Sequence, residues 1–192
     1  MEGESKGSFN VMEERREFVV PKCGTYDLVL RLLAFVLTLV AAVVIGADKQ
    51  TTIVPFKLVD SMSPFNVSVT AKWHYLSALL YFVVANAIAC AYATVSLLLT
   101  LAYRRKSKGM GTMITVLDAT MVALLFSSDG AAIAVGVLGL QGNSHVHWNK
   151  VCNVFANFCD QAAASLFISL LGSIAFLLLV VLPHVITPKP TA

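Results

Sequence analysis

Four long apolar runs, separated by short polar segments, organise the sequence. They cover Leu28–Ala47, Tyr75–Ala102, Thr112–Leu140 and Ala162–Leu182. A hydrocarbon core of about 30 Å takes about 20 apolar residues to cross as a helix, and each run reaches that length. The pattern predicts an all-α membrane protein built as a four-helix transmembrane bundle over residues 28–182. Residues 1–27 form an N-terminal tail and 183–192 a C-terminal tail, with Met1–Lys22 and Pro183–Ala192 read as disordered.

Composition sharpens this picture. The chain is 57% hydrophobic and only 13% charged, with a mean hydropathy of +0.77, well above soluble domains. Its 192 residues leave no room for a large soluble domain beside four spans, which excludes a catalytic domain hung on a membrane anchor. The net charge of +3 sits in segments flanking the spans, so nucleic acid is not an expected partner. A polar, acid-rich stretch precedes the first run and no small-residue cleavage pattern follows it, so a cleavable leader is not expected.

Orientation follows from the cations near the span ends. Tyr103–Gly111 carries Arg104, Arg105, Lys106 and Lys108 and no acid, and the N-terminal tail carries Lys6, Arg15, Arg16 and Lys22. Asp48–His74 has three lysines over a longer length, and Gln141–Gln161 has only Lys150. Both termini and the basic loop are therefore expected in the cytoplasm, and the other two loops outside. Asn66-Val67-Ser68 is an N-glycosylation sequon in the first outside loop, or else a chance match. Cys152 and Cys159 share the second, where an oxidising environment lets them pair. Cys23, just before the first span, suits palmitoylation or is an ordinary thiol, and Cys90 reads as a packing residue.

Charges inside spans are scarce, and each needs a partner or a purpose. Arg31 lies about four residues into the first span and Asp118 about six into the third. Both are roughly 6–9 Å deep at 1.5 Å per residue, so an Arg31–Asp118 ion pair between helices is expected. The alternative is a snorkelling Arg31 with a protonated Asp118. Asp129 follows Asp118 by eleven residues and returns to nearly the same face, near the midplane, with Ala132 and Gly136 continuing that face. It reads as a protonated acid bonded to Ser127, Ser128 or Asn86, or as a proton or cation site.

Small residues at helical spacing mark close helix approaches. They are Ala78, Ala85, Ala89, Ala93 and Ser96 in the second span, Gly130, Ala134, Gly136 and Gly139 in the third, and Ser165, Ser169 and Gly172 or Ser173 in the fourth. The same stripes suit either the bundle interior or oligomer contacts. No catalytic constellation, phosphate loop, haem signature or flavin signature is present, so no cofactor and no enzymatic activity are expected. His145 and His147 with Asp160 are a weak metal-ligand pattern that reads as exposed loop residues.

The order of Arg31, Asp118 and a two-cysteine second outside loop resembles the plant Casparian strip membrane domain protein-like (CASP-like) family. The strongest stretch runs from Gly139-Leu140-Gln141-Gly142-Asn143 through Trp148-Asn149-Lys150-Val151-Cys152 to Cys159, and Tyr81–Ile88 is similar to the family's second helix. The resemblance spans Tyr26 to Leu182. It implies a plasma-membrane scaffold that forms homodimers or heterodimers with related CASP-like proteins among membrane lipids. In the family's best understood members, that scaffold recruits cell-wall enzymes. It also implies that Arg31 and Asp118 are the recurrent charged pair, and it assigns Asp129 no role. The first outside loop lacks the founding members' Gln-Phe and Tyr-Asp-Leu-Pro elements, which places the chain among the CASP-like relatives. Two other classes stay open. One is a small proton- or ion-coupled transporter using Asp118 and Asp129, although the spans contain no Pro breaks. The other is a MARVEL-like or claudin-like adhesion protein, although claudins carry their Trp and Cys pair in the first outside loop.

Overall fold

A computed structural model describes the backbone of residues 3–56, 65–102, 108–142, 145 and 150–186, and the side chains of 25–53, 67–102, 111–142, 145, 150–183 and 185. Four helices dominate: α1 (Gly3–Gly46), α2 (Ser77–Ala102), α3 (Lys108–Gln141) and α4 (Ala156–Ile186). Their membrane-length apolar segments are Thr25–Gly46, Ser77–Ala102, Gly111–Gln141 and Ala156–Pro183. With no water in the hydrocarbon to satisfy N–H and C=O groups, an apolar run must bond its backbone to itself, and a helix does so.

Over the described residues the tails depart from the expected disorder. The α1 backbone is helical from Gly3, and α4 continues through Pro183 to Ile186. Extending an existing helix costs far less than nucleating one, and Met12–Phe18 is rich in strong helix formers. Pro183 removes one hydrogen-bond donor in the last turn, and the preceding apolar helix holds the segment.

The helices form a ring in which α1 packs on α2 and α4, and α3 packs on the same two. The first and third helices therefore occupy opposite corners. Around the ring, the α2 stripe of Ala85, Ala89, Ala93 and Ser96 and the α4 stripe of Ser165, Ser169 and Ser173 face inward and are buried. Gly172 lets α4 approach α1 closely: a Cβ there would meet Thr38 Cγ2 at 3.3 Å and Leu37 Cβ at 3.5 Å. The α3 stripe divides differently. Gly130 and Ala134 are exposed, and a Cβ at Gly130 would meet nothing within 4 Å. Gly142 closes α3 with a left-handed φ of 68° and donates its N–H to Leu138 O at 2.9 Å, a cap that glycine adopts without a Cβ penalty.

Two antiparallel strands, β1 (Lys49–Phe56) and β2 (Phe65–Lys72), join α1 to α2 where only a loop was expected. Their Thr, Ile and Val residues favour extended backbone, and Thr51 Oγ1 meets Thr70 Oγ1 across the pair at 3.1 Å. A lone two-stranded hairpin is marginal in water, and the bundle supports this one. The Phe158 N–H donates to Gln50 Oε1 at 2.9 Å. Ala71, Trp73 and Leu76 pack on an apolar cluster of Ala41, Ile45, Leu79, Phe82, Ala132, Phe155 and Phe158. Lys49 and Lys72 oppose each other at the hairpin base, and Lys72 Nζ lies 5.8 Å from the Tyr75 ring centroid.

Asp48, between α1 and β1, is 4% exposed. Its Oδ2 has no hydrogen-bond partner among the described residues. Burial pushes this carboxyl up to about 6. The folded value thus lies above the unfolded one of about 3.9. The stability linked to the bound proton is complete below about pH 4 and is lost as pH rises through about 6. A two-unit difference corresponds to on the order of 2–3 kcal/mol. Thermal unfolding of the purified protein in detergent should therefore show stability falling between about pH 4 and pH 6, and Asp48→Asn should flatten that slope. An equal slope in both proteins would refute the assignment.

Candidate functional site: two buried polar layers

Arg31 and Asp118 meet near the bundle axis at the end away from the hairpin. Arg31 is 4% exposed and Asp118 is 1% exposed. The guanidinium grips the carboxylate with two bonds, Nη1 to Oδ1 at 3.3 Å and Nη2 to Oδ2 at 3.1 Å. The long arginine side chain thus spans the diagonal that the two backbones leave open. A fork-on-carboxylate pair fixes orientation as well as charge.

Two further groups complete this layer. Arg31 Nε donates to Asp27 Oδ2 at 3.1 Å, one turn back on the same helix. The Tyr92 hydroxyl of α2 lies 2.7 Å from Asp118 Oδ1 and 3.1 Å from Ile114 O. Sequence reasoning missed both, although each left a signal. Asp27 and Arg31 stand at i,i+4, the spacing of helix ion pairs, and a phenol inside an apolar span needs a polar partner. A cavity of about 640 Å³ reaches this layer, lined among others by Asp27, Arg31, Thr100, Thr115, Asp118 and Leu179. Asp27, with its side chain 32% exposed, marks the wet edge of the network.

The second layer surrounds Asp129, which is 1% exposed. The partners expected for it, Ser127, Ser128 and Asn86, do not touch its carboxyl. Ser127 Oγ accepts from the Tyr81 hydroxyl at 3.3 Å, and Ser128 donates to Leu125 O at 2.9 Å. Instead α4 supplies the contacts. Ser169 Oγ lies 2.7 Å from Asp129 Oδ1, and Ser173 Oγ lies 3.1 Å from Oδ2. Asn86 joins one step away, its Oδ1 3.1 Å from Ser169 Oγ. Ser128 stands about 100° and Ser127 about 200° around the helix from Asp129, so they point elsewhere. The serines spaced four apart on α4 present one face.

An apolar layer separates the two polar ones. Ala34, Ala89, Ala93, Leu125, Ala175, Phe176 and Leu179 are buried together there. The cluster under the hairpin covers the Asp129 layer on its other side.

Cys152 and Cys159 are joined as a disulfide with Cα atoms 5.7 Å apart, and Cys90 is a half-buried free thiol. The Asn66 backbone lies in β2 opposite Pro55, and its side chain falls outside the described residues, as do those of Cys23 and His147. His145 is exposed. Among the described residues no group of three His, Cys, Asp or Glu could hold a metal.

Comparison with known proteins adds a second line of observation. A family model described as the Casparian strip membrane protein domain matches residues 21–175. CASP-like protein 1E2 of Glycine max is 64% identical over 178 residues, 91% of this chain and 95% of the relative. CASP-like protein 1E2 of Vitis vinifera is 55% identical over 186 residues, 95% of each chain. CASP-like protein 1E1 of Arabidopsis thaliana is 48% identical over 184 residues, 95% of this chain and 97% of the relative. No solved structure matches.

Asp118→Ala should cost about 3–5 kcal/mol, because it strands a buried arginine. Asp27→Ala, at the wet edge and within one helix, should cost about 0.5 kcal/mol or less. Arg31→Ala added to Asp118→Ala should recover part of the loss, since the pair is removed together. Thermal unfolding of the four proteins in one detergent checks this, and an equal loss for Asp27→Ala and Asp118→Ala would contradict it. Alkylation of the native protein should label neither Cys152 nor Cys159 before reduction and both after it. Closing so short a loop contributes about 2–3 kcal/mol, which Cys152→Ser with Cys159→Ser should remove.

Proposed function

The chain belongs to the Casparian strip membrane protein family, among its CASP-like relatives, and from that membership we propose that it is a non-enzymatic plasma-membrane scaffold. Its work is to associate with further copies or with related CASP-like proteins into a membrane domain. The Arg31 end of the bundle and both termini face the cytoplasm, where the Arg104–Lys108 cations belong. The hairpin, the disulfide and Asn66 face outside, where cell-wall enzymes could be organised.

One observation carries this reading: the ionisable groups well inside the spans, Arg31, Asp118 and Asp129, are turned inward and matched within the chain. Arg31 holds Asp27 and Asp118, and Asp129 holds two serines. What faces lipid or a neighbour is mostly apolar, including Leu32, Val36, Val43, Val84, Phe126 and Phe167. The transporter reading of Asp118 and Asp129 gains no support from this arrangement. Leu125, Ala89 and Phe176 stand between the two acids, and ion passage needs connected polar groups or water.

On α3, Gly130 and Ala134 leave a smooth outward patch beside the buried Asp129, the kind of surface on which membrane helices approach closely. A Cβ at Gly130 would enter open space, so Gly130→Leu is expected to leave the bundle folded. Photobleaching of a fluorescent fusion in the plasma membrane tests the proposal. The expected result is slow, incomplete recovery in patches, with Gly130→Leu recovering faster at equal expression. Recovery as fast and complete as that of a freely diffusing four-span protein would overturn the scaffold reading.

A further inference from the structure

The hydrogen atoms around Asp129 do not add up if its carboxyl is ionised. Ser169 Oγ faces two acceptors, Asp129 Oδ1 at 2.7 Å and Asn86 Oδ1 at 3.1 Å. Ser173 Oγ gives its hydrogen to Asp129 Oδ2 at 3.1 Å, and the Ser169 carbonyl, also 3.1 Å away, is held in the α4 backbone ladder. Each hydroxyl has a single hydrogen to give. Turning the Asn86 amide over offers no escape, because its Nδ2 donates to Phe82 O at 3.0 Å, and the flipped form would set two oxygens against each other there.

We propose that Asp129 is a proton-binding site: it carries a proton on Oδ1, donates it to Ser169 Oγ, and so frees the Ser169 hydrogen for Asn86 Oδ1. One added proton turns competing contacts into a directed chain, Asp129 to Ser169 to Asn86, that ties α3, α4 and α2 together. Ser173 completes the set by donating to Asp129 Oδ2. The surroundings favour the neutral acid. The groups reaching Asp129 are Ser169 and Ser173 from α4, with Asn86 of α2 behind them, all uncharged. Along α3 the next charged residue is Asp118, about 16 Å away at 1.5 Å per residue and paired with Arg31; toward the hairpin end stand Asp160 of α4 and the buried Asp48, both acids that offer Asp129 no positive charge. An ionised carboxylate there would be a buried charge without a counter-ion. Apolar clusters on both sides hold the proton in place rather than pass it on.

Infrared spectroscopy of the purified full chain in lipid nanodiscs tests this at mildly alkaline pH, where Asp48 is ionised. The expected spectrum contains a carboxylic-acid C=O band that Asp129→Asn removes and Ser169→Ala shifts. Asp129→Asn should fold and assemble like the parent, because an amide offers the same donor and acceptor as the neutral acid, whereas Asp129→Ala should not. Absence of an acid band in the parent protein would overturn the proposal, and so would a band that persists in a folded Asp129→Asn protein. Should Asp129→Asn fail to fold, Ser169→Ala decides: a shifted band supports the chain, and an unshifted one refutes it.

Discussion

A guanidinium held in an apolar bundle is tolerable only with its charge and donors matched, and much of this architecture follows from that condition. Arg31 spans the diagonal between α1 and α3 and takes both oxygens of Asp118. Reaching it fixes the rotation of α1, because a turn about its axis would carry the arginine into lipid. Asp118 in turn fixes α3, and Tyr92 brings α2 into the same layer. A hydrophobic contact between the same helices would set no such angle, since lipid tails are as apolar as leucine and give little preference for one face over another.

The second layer secures what the first leaves free. It joins α4 to α3 through Asp129, Ser169 and Ser173. Two polar layers with an apolar one between them therefore define all four rotations. Close packing does the rest: Gly172 brings α4 onto Thr38 and Leu37, and Phe176 fills the space beside Tyr92, their ring centroids 6.2 Å apart.

At the hairpin end a different set of forces operates. The strands cannot stand alone, and they rest on the apolar cluster that includes Phe155 and Phe158, with Gln50 as a polar tie. The Cys152–Cys159 bond constrains the turn into α4 next to that tie. Both loops thus form one cap, with Asp48 buried at its edge and its carboxyl pushed up by that burial.

The sequence by itself determined the four spans, because in lipid a long apolar run has no alternative to a helix. It also pointed to the pairing of Arg31 with Asp118, two charges at matching depth, and the structure chose that pair over a snorkelling arginine. The face shared by Asp118 and Asp129 follows from helical geometry alone. Only the tertiary structure decided who meets Asp129, because helix rotation and axial offset between α3 and α4 depend on packing that no local pattern encodes. The same holds for the outward turn of Gly130 and Ala134, which read in sequence like the inward stripes of α2 and α4. It holds for the hairpin as well, whose strands are short and gain their stability from the bundle beneath them. Depth along a helix is legible from counting residues; direction around it becomes fixed only when the neighbouring helices are in place.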